Sequence, residues 1–377
     1  MPHPRNLVEP VRARARTSGR TRRGARATTP SAGKSRPPEA GGGFLAAKAF
    51  VAALIAGLAL ASQSAEAQEA PKVVASIKPV ESLVSAVMQG VGKPHLIVEG
   101  AASPHTAALK PSDASALSEA QAIFWIGPQL ENFLVKPIGS LGSDARIVPL
   151  WDAEGVEKLK ARSGAMFEPD DDHDHGTAED DHEKGASHEH EAGESADHDH
   201  DHGESGVNEH VWLDPENAVA MTKAIAATLS DVDPAHAATY RANADAYVER
   251  LKTLEEDVRA KLQDAPKKPF VVFHDAYQYF EERFGVPAAG AITVSPERAP
   301  GAARIREIKD KLESVGAACV FTEPEFEPSI VATVTEGTSA TVGVLDPLGA
   351  DLQDGPDLYP TLIGNIAQGL SDCFRRQ

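Results

Sequence analysis

Four residues of this 377-residue chain combine metal-ligating chemistry with a shared place in the predicted topology: His105, His210, His274 and Asp346. Three imidazoles with a carboxylate or water make a tetrahedral donor set suited to zinc. His274 ends the apolar run PFVVFH and Asp346 ends TVGVLD, whereas His105 follows HLIVEG and His210 lies in NEHVWLDP, beyond the fourth predicted strand. Open parallel sheets bind ligands outside the carboxyl ends of their strands. Residues at that edge in both halves of the chain are therefore expected to meet in one cleft. Asp346 carries a second reading, because an Asp before Pro at a strand end also fixes a turn or orients a ligating ring. His95, at a strand start, and His236, on a helix, lack this placement and are assigned to structure.

A second group of histidines is different in kind. The stretch FEPDDDHDHGTAEDDHEKGASHEHEAGESADHDHDHGESG holds eight of the fourteen histidines among sixteen acids. It has almost no apolar residue, so it cannot bury enough surface to offset the entropy of ordering, and a mobile loop is expected over 168–207. Imidazole beside carboxylate is a donor mixture for divalent transition metals. His173, His175, His182, His188, His190, His198, His200 and His202 are thus candidate auxiliary ligands that collect metal, the alternative being a solvated acidic linker.

These ligands must be positioned by the remaining sequence, whose charge narrows the partners. The net charge is −19, yet the first 67 residues carry eleven Lys or Arg against three acids, leaving 26 basic and 53 acidic residues, a balance near −27. That excess argues against nucleic acid and anionic lipid as partners. Residues 1–43 form a basic leader. The apolar run from Phe44 to Ala61, broken at Lys48, is too short to span a bilayer, and Ala65-Glu66-Ala67 supplies a small-x-small cleavage pattern. A secretory signal peptide cut before Gln68 is expected, with a lone membrane anchor as the alternative. Export permits disulfides, and the two cysteines are Cys319 and Cys373. A bridge between them or a thiolate metal site are the two readings.

From Pro71 short apolar runs alternate with amphipathic ones. KVVASI, HLIVEG, AIFWIG and ARIVPL read as strands, separated by helices, one of which is expected to be N-capped by Ser112. After the acidic stretch a helix is expected from Pro215 to about Leu229. A much longer one follows from about Pro234 to Gln263, with Tyr240, Ala244, Tyr247, Leu251, Leu254, Val258 and Leu262 on one stripe. That length points to a spacer joining two halves. PFVVFH, AAGAITV, ACVFTE and TVGVLD repeat the alternation, so the fold class is α/β, with a parallel sheet in each half.

Taken together, VVASIKPVESLV, GAASPHTAALKPSDASAL, IFWIGPQLENFL, NEHVWLDP, VVFHDAYQYFEERFG, CVFTEPEFEPSIV and GVLDPLGAD resemble the zinc-binding periplasmic component of bacterial zinc ABC importers, the ZnuA-type cluster of solute-binding proteins. The similarity covers about Val73 to the C-terminus. It implies two α/β lobes, each with a parallel four-stranded sheet flanked by helices, joined by one long rigid helix, with Zn2+ between the lobes. The implied divisions are a leader and signal peptide at 1–67, an N-terminal lobe at 68–232, a connecting helix at 233–264 and a C-terminal lobe at 265–377. By matching position the resemblance implies His105, His210 and His274 as ligands, Asp346 as the family's aspartate, and a disulfide between Cys319 and Cys373. Some members have Glu immediately before the first histidine, where this chain has Pro104, which leaves the fourth position to water, Asp346 or a loop histidine.

The implied role is a monomeric periplasmic receptor, not an enzyme, that delivers zinc to an ABC permease, with a periplasmic zinc chaperone as a further partner and no insertion of the mature chain in the membrane. A manganese-type or other transition-metal binding protein, or an adhesin, of the same fold is the alternative. Manganese-type relatives carry a carboxylate in place of the third histidine, so His274 favours zinc. A zinc hydrolase is a weaker alternative: HExxH is absent, and the acids after ACVF, Glu323 and Glu325, are placed on a lobe surface or behind a ligating ring.

Overall fold

Val73–Ile77 (β1) is five consecutive buried residues, the pattern of a strand covered on both faces. It pairs in parallel with His95–Val98 (β2) on one side and Ala122–Trp125 (β3) on the other, and β3 carries Arg146–Pro149 (β4) at the edge, giving the order β2-β1-β3-β4. The second sheet repeats this order. Phe270–His274 (β5) lies between Gly290–Thr293 (β6) and Cys319–Thr322 (β7), and Thr341–Val344 (β8) pairs in parallel outside β7. The structure, a computed structural model, describes residues 69–162, 167, 206–263, 265, 267–293, 296 and 300–375. The leader, the signal-peptide region and the eight histidines of the acidic stretch lie outside the described residues.

Helices in the first half are Lys78–Val87 (α1), Pro111–Glu119 (α2), Asn132–Leu141 (α3) and Pro215–Val232 (α4). Ser112 does not cap α2 as expected. Pro111 occupies the first turn, where its missing N–H costs nothing, and the Asp113 carboxylate accepts from the Lys110 N–H at 3.0 Å. Asp214 caps α4, accepting from the Glu216 N–H at 2.9 Å. Ala237–Gln263 (α5) is the long helix, 27 residues or roughly 40 Å at 1.5 Å per residue. The preceding Pro234–His236 is a separate 3₁₀ turn. The second half adds Gln278–Phe284 (α6), Ala302–Val315 (α7), Ser329–Thr335 (α8) and Leu358–Arg375 (α9).

The long helix is not a bare spacer. Its stripe of Tyr240, Ala244, Tyr247, Leu251, Val258 and Leu262 is buried, with Leu254 at its margin, and it packs on α4, α9 and α1. A single apolar core therefore runs from β1 through α1, α4 and α5 to β5 and α9. A smaller cluster, including Val271, Phe273, Ile308, Leu312 and Val331, fills the other face of the second sheet under α7 and α8. Polar contacts reinforce the shared core. The Lys78 ammonium reaches Asp354 at 2.6 Å and the Leu352 carbonyl at 2.8 Å, and the Tyr359 hydroxyl donates to the Trp212 carbonyl at 2.7 Å. The Trp212 indole N–H donates to the Pro347 carbonyl at 2.8 Å. The two sheets accordingly belong to one compact unit.

Cys319, at the start of β7, is bonded to Cys373 near the end of α9, which ties the last helix to the second sheet across 54 residues. Loop-closure entropy alone gives such a bridge about 4 kcal/mol. Replacing both cysteines with Ala is expected to lower the urea midpoint by an amount corresponding to about 2–4 kcal/mol, measured by equilibrium unfolding with an unchanged m-value.

Candidate metal centre

β5 delivers His274 at its carboxyl end, where the ring is buried. Because β5 and β7 are neighbours in the sheet, the residue after β7, Glu323, arrives beside it. The Glu323 carboxylate lies 2.6 Å from His274 Nδ1 and is itself buried. That contact places the proton on Nδ1 and turns the Nε2 lone pair toward the cavity.

His210 stands just before the 3₁₀ turn Val211–Leu213, whose three residues are buried. Its Nδ1 lies 2.8 Å from Asn208 Oδ1, which also accepts from the His210 backbone N–H at 3.0 Å. The Asn208 amide is oriented from the other side, since its Nδ2 donates to the Asp275 carbonyl at 2.8 Å and to Gln278 Oε1 at 3.1 Å. His210 is thereby held as the tautomer with a free Nε2. His105 comes from the turn after β2, where its N–H meets Ser103 Oγ at 3.3 Å and its Nδ1 is 3.9 Å from the Glu209 carboxylate.

The three Nε2 atoms converge. His105 and His210 are 3.4 Å apart and His210 and His274 are 3.2 Å apart, with one ligand nitrogen from each ring inside 4.8 Å of the others. Two nitrogens bound to one tetrahedral zinc at 2.0–2.1 Å stand about 3.3 Å apart. The cavity they face is further lined by Pro104, Trp212, Glu323, Glu325 and Phe326. Sequence reasoning located all three rings, and the structure brings them together.

Asp346 is outside the three-imidazole cluster, next to the cavity-lining Glu325. Its two carboxylate oxygens accept from the backbone N–H groups of Leu348, Gly349 and Ala350 at 2.9, 2.6 and 2.7 Å, so it fixes the turn after β8, the second reading open to it. Gly349 holds φ at +76° in that turn, and a Cβ there would meet Leu352 at 3.1 Å. His95 pairs with Asp113 at 2.9 Å and His236 with Asp233 at 2.6 Å, both away from the cavity. Asn208 is invisible to sequence reasoning, since nothing local marks it. Of the two places expected for Glu323, it stands behind an imidazole, that of His274, and not on a lobe surface.

The flanks of the histidine stretch lie next to this centre. Lys160 and Val207 form an antiparallel bridge, and the Asn208 N–H donates to the Leu159 carbonyl at 2.9 Å. The Arg162 guanidinium grips Asp275, the neighbour of His274, and donates to Glu281 at 2.7 Å, while the Phe167 ring covers it at 3.5 Å. Both flanks are thus fastened to residues adjoining two of the three imidazoles.

Electrostatics separate the rings. Burial, with the neighbouring His274 and His105, holds His210 well below the usual imidazole range, so it is neutral. Burial also acts to lower His274, but the Glu323 carboxylate overrides it and the pKa is raised. Protonated Nε2 cannot ligate, and a raised pKa keeps the proton on to higher pH. Zinc affinity is therefore expected to fall as pH drops from about 8 to about 6, through the range in which imidazole takes up its proton. Glu323→Gln removes the anion and should move that loss toward lower pH, as read by chelator competition across the range.

Residues 73–373 match the family described as zinc-uptake complex component A, periplasmic. A high-affinity zinc uptake system protein ZnuA of Brucella suis is 56% identical over 318 residues, covering 83% of this chain and 94% of its own length. One of the same description from Paracoccus denitrificans is 37% identical over 322 residues, covering 85% and 97%. In fold the chain is similar to a crystal structure described as a 138-173 ZnuA deletion mutant with zinc bound, at a TM-score of 0.64 and 22% identity, covering 82% of this chain and 99% of that one.

Proposed function

We propose a function from the premise that this chain belongs to the ZnuA family of periplasmic zinc-uptake components: it is the zinc receptor of an ABC importer, capturing one Zn2+ on His105, His210 and His274 and delivering it to the membrane permease. The observation that carries the reading is the spacing of the Nε2 atoms, 3.2 and 3.4 Å, which is the separation a tetrahedral zinc imposes on its ligands. Three borderline imidazole donors favour zinc over manganese, which takes harder oxygen sets. Glu323 is occupied with His274, so it is not the free base that a hydrolytic site would need beside metal-bound water.

The chain is exported by a signal peptide cut before Gln68 and acts as a monomer in the periplasm. Among the described residues no helix is long and apolar enough to cross a membrane. The two lobes at 68–232 and 265–377, with their connecting helix at 233–264, serve as walls of one site. The eight histidines of the acidic stretch are auxiliary ligands that raise the local supply of zinc beside it, and a periplasmic zinc chaperone is a further partner.

Changing His105, His210 and His274 together to Ala, in a chain lacking residues 170–204, should abolish tight zinc binding by calorimetry; undiminished affinity would falsify the receptor reading. Deleting 170–204 alone is expected to leave one tight site and remove weaker ones. An unchanged zinc stoichiometry would reduce that stretch to a linker.

A further inference from the structure

Three imidazoles fill three positions of a tetrahedral cation and leave its double charge uncompensated, in a cavity also lined by Trp212, Phe326 and Leu348. Two residues lining that cavity are acidic, Glu323 and Glu325. Glu323 is committed, with Oε2 at 2.6 Å from His274 Nδ1 and Oε1 accepting from the His274 backbone N–H at 3.4 Å. Asp346 is committed to three backbone N–H groups of its own turn.

Glu325 is different. Both of its carboxylate oxygens are shielded from solvent; no N–H or hydroxyl group of another residue donates to either, and the Asp346 carboxylate is the neighbour with which a protonated Glu325 shares a hydrogen bond. A carboxyl group taken out of water without a donor is an unfavourable arrangement, and one retained in a native cavity calls for a ligand. Burial, reinforced by the carboxylates of Glu323 and Asp346, pushes its pKa up to about 9 in the metal-free protein. An incoming dication would reverse that balance and favour the anion.

The backbone brings Glu325 to the right place. The Phe326 N–H donates to the Glu323 carbonyl at 3.3 Å, closing a tight turn directly after β7. Phe326 stacks on Phe273 with ring centroids 4.9 Å apart and meets the His274 ring edge-on at 5.7 Å, which pins the turn beside the third imidazole. The cluster within 4.8 Å comprises the three imidazoles without Glu325. To join them its carboxylate has to turn about its own side-chain bonds, the turn itself being held by Phe326.

We propose that Glu325 is the anionic fourth donor to the zinc ion held by His105, His210 and His274, swinging onto it as the ion enters. This inference rests on the receptor reading above and deepens it. Pro104 cannot supply a donor from the other side of the cavity, and the capture of the ion by Glu325 cancels one of its two charges.

The test uses the full-length chain with one equivalent of Co2+ as a spectroscopic substitute, and zinc affinity by chelator competition. Wild type, Glu325→Gln and the His105→Ala, His210→Ala, His274→Ala triple variant are compared, the triple variant giving the contribution of the acidic stretch for subtraction. Glu325→Gln is expected to weaken zinc binding about tenfold or more and to shift and weaken the visible Co2+ bands as water replaces carboxylate. Its metal-free melting temperature should stay level, because a buried carboxyl already protonated near neutral pH has been replaced by a neutral isostere. Wild-type affinity and an unchanged Co2+ spectrum in Glu325→Gln, with binding lost in the triple variant, overturn this inference and leave the receptor reading standing. Tight binding in the triple variant overturns both.

Discussion

Three ring nitrogens with their lone pairs directed at one point, 3.2 and 3.4 Å apart, are held together without any attraction of their own. The rest of the structure exists around that constraint. Each lone pair repels the others, and protonation of more than one ring would add like charge in a buried cavity. The arrangement persists because the far nitrogens of two rings are tied: His210 to Asn208 and His274 to Glu323. Those bonds choose the tautomer as well as the direction, so the donor set is assembled before an ion arrives.

Holding rings from distant parts of the chain to within a few tenths of an ångström requires walls that do not drift. The single core running through α1, α4, α5 and α9 supplies them, since close-packed interiors tolerate little relative displacement. Around the cavity, Trp212 is tied to Pro347 and Tyr359 to Trp212, so the segment following β8 is fastened to the segment that carries His210. Arg283 adds a two-pronged pair with Asp214, 2.7 Å at each contact, just beyond the same 3₁₀ turn.

Charge is distributed to match. A surplus of acids over most of the chain attracts divalent cations over a distance set by screening. Close to the site most acids are already engaged. Glu323 orients a ring, Asp346 fixes a turn, and Asp275 with Glu281 holds Arg162. Glu325 stands apart, its carboxyl oxygens buried beside Asp346 with no N–H or hydroxyl donor from another residue.

Much of this was legible along the chain. Strand and helix alternation, the parallel order it demands, the stripe on α5 and the three histidines at strand ends all follow from local pattern, because periodicity and chain punctuation are properties of neighbouring residues. The pairing of Cys319 with Cys373 came from family resemblance, since two cysteines by themselves also admit a metal site. Other features were decided by packing alone. Glu323 meets His274 across 49 residues and Asn208 meets Asp275 across 67, contacts set by which strands and loops become neighbours. Asp346 shows the limit most clearly: its type and place at a strand end suit a ligand equally well as a turn. Three backbone N–H groups, placed by the tertiary path of the chain after β8, give it the turn role that its sequence position alone left open.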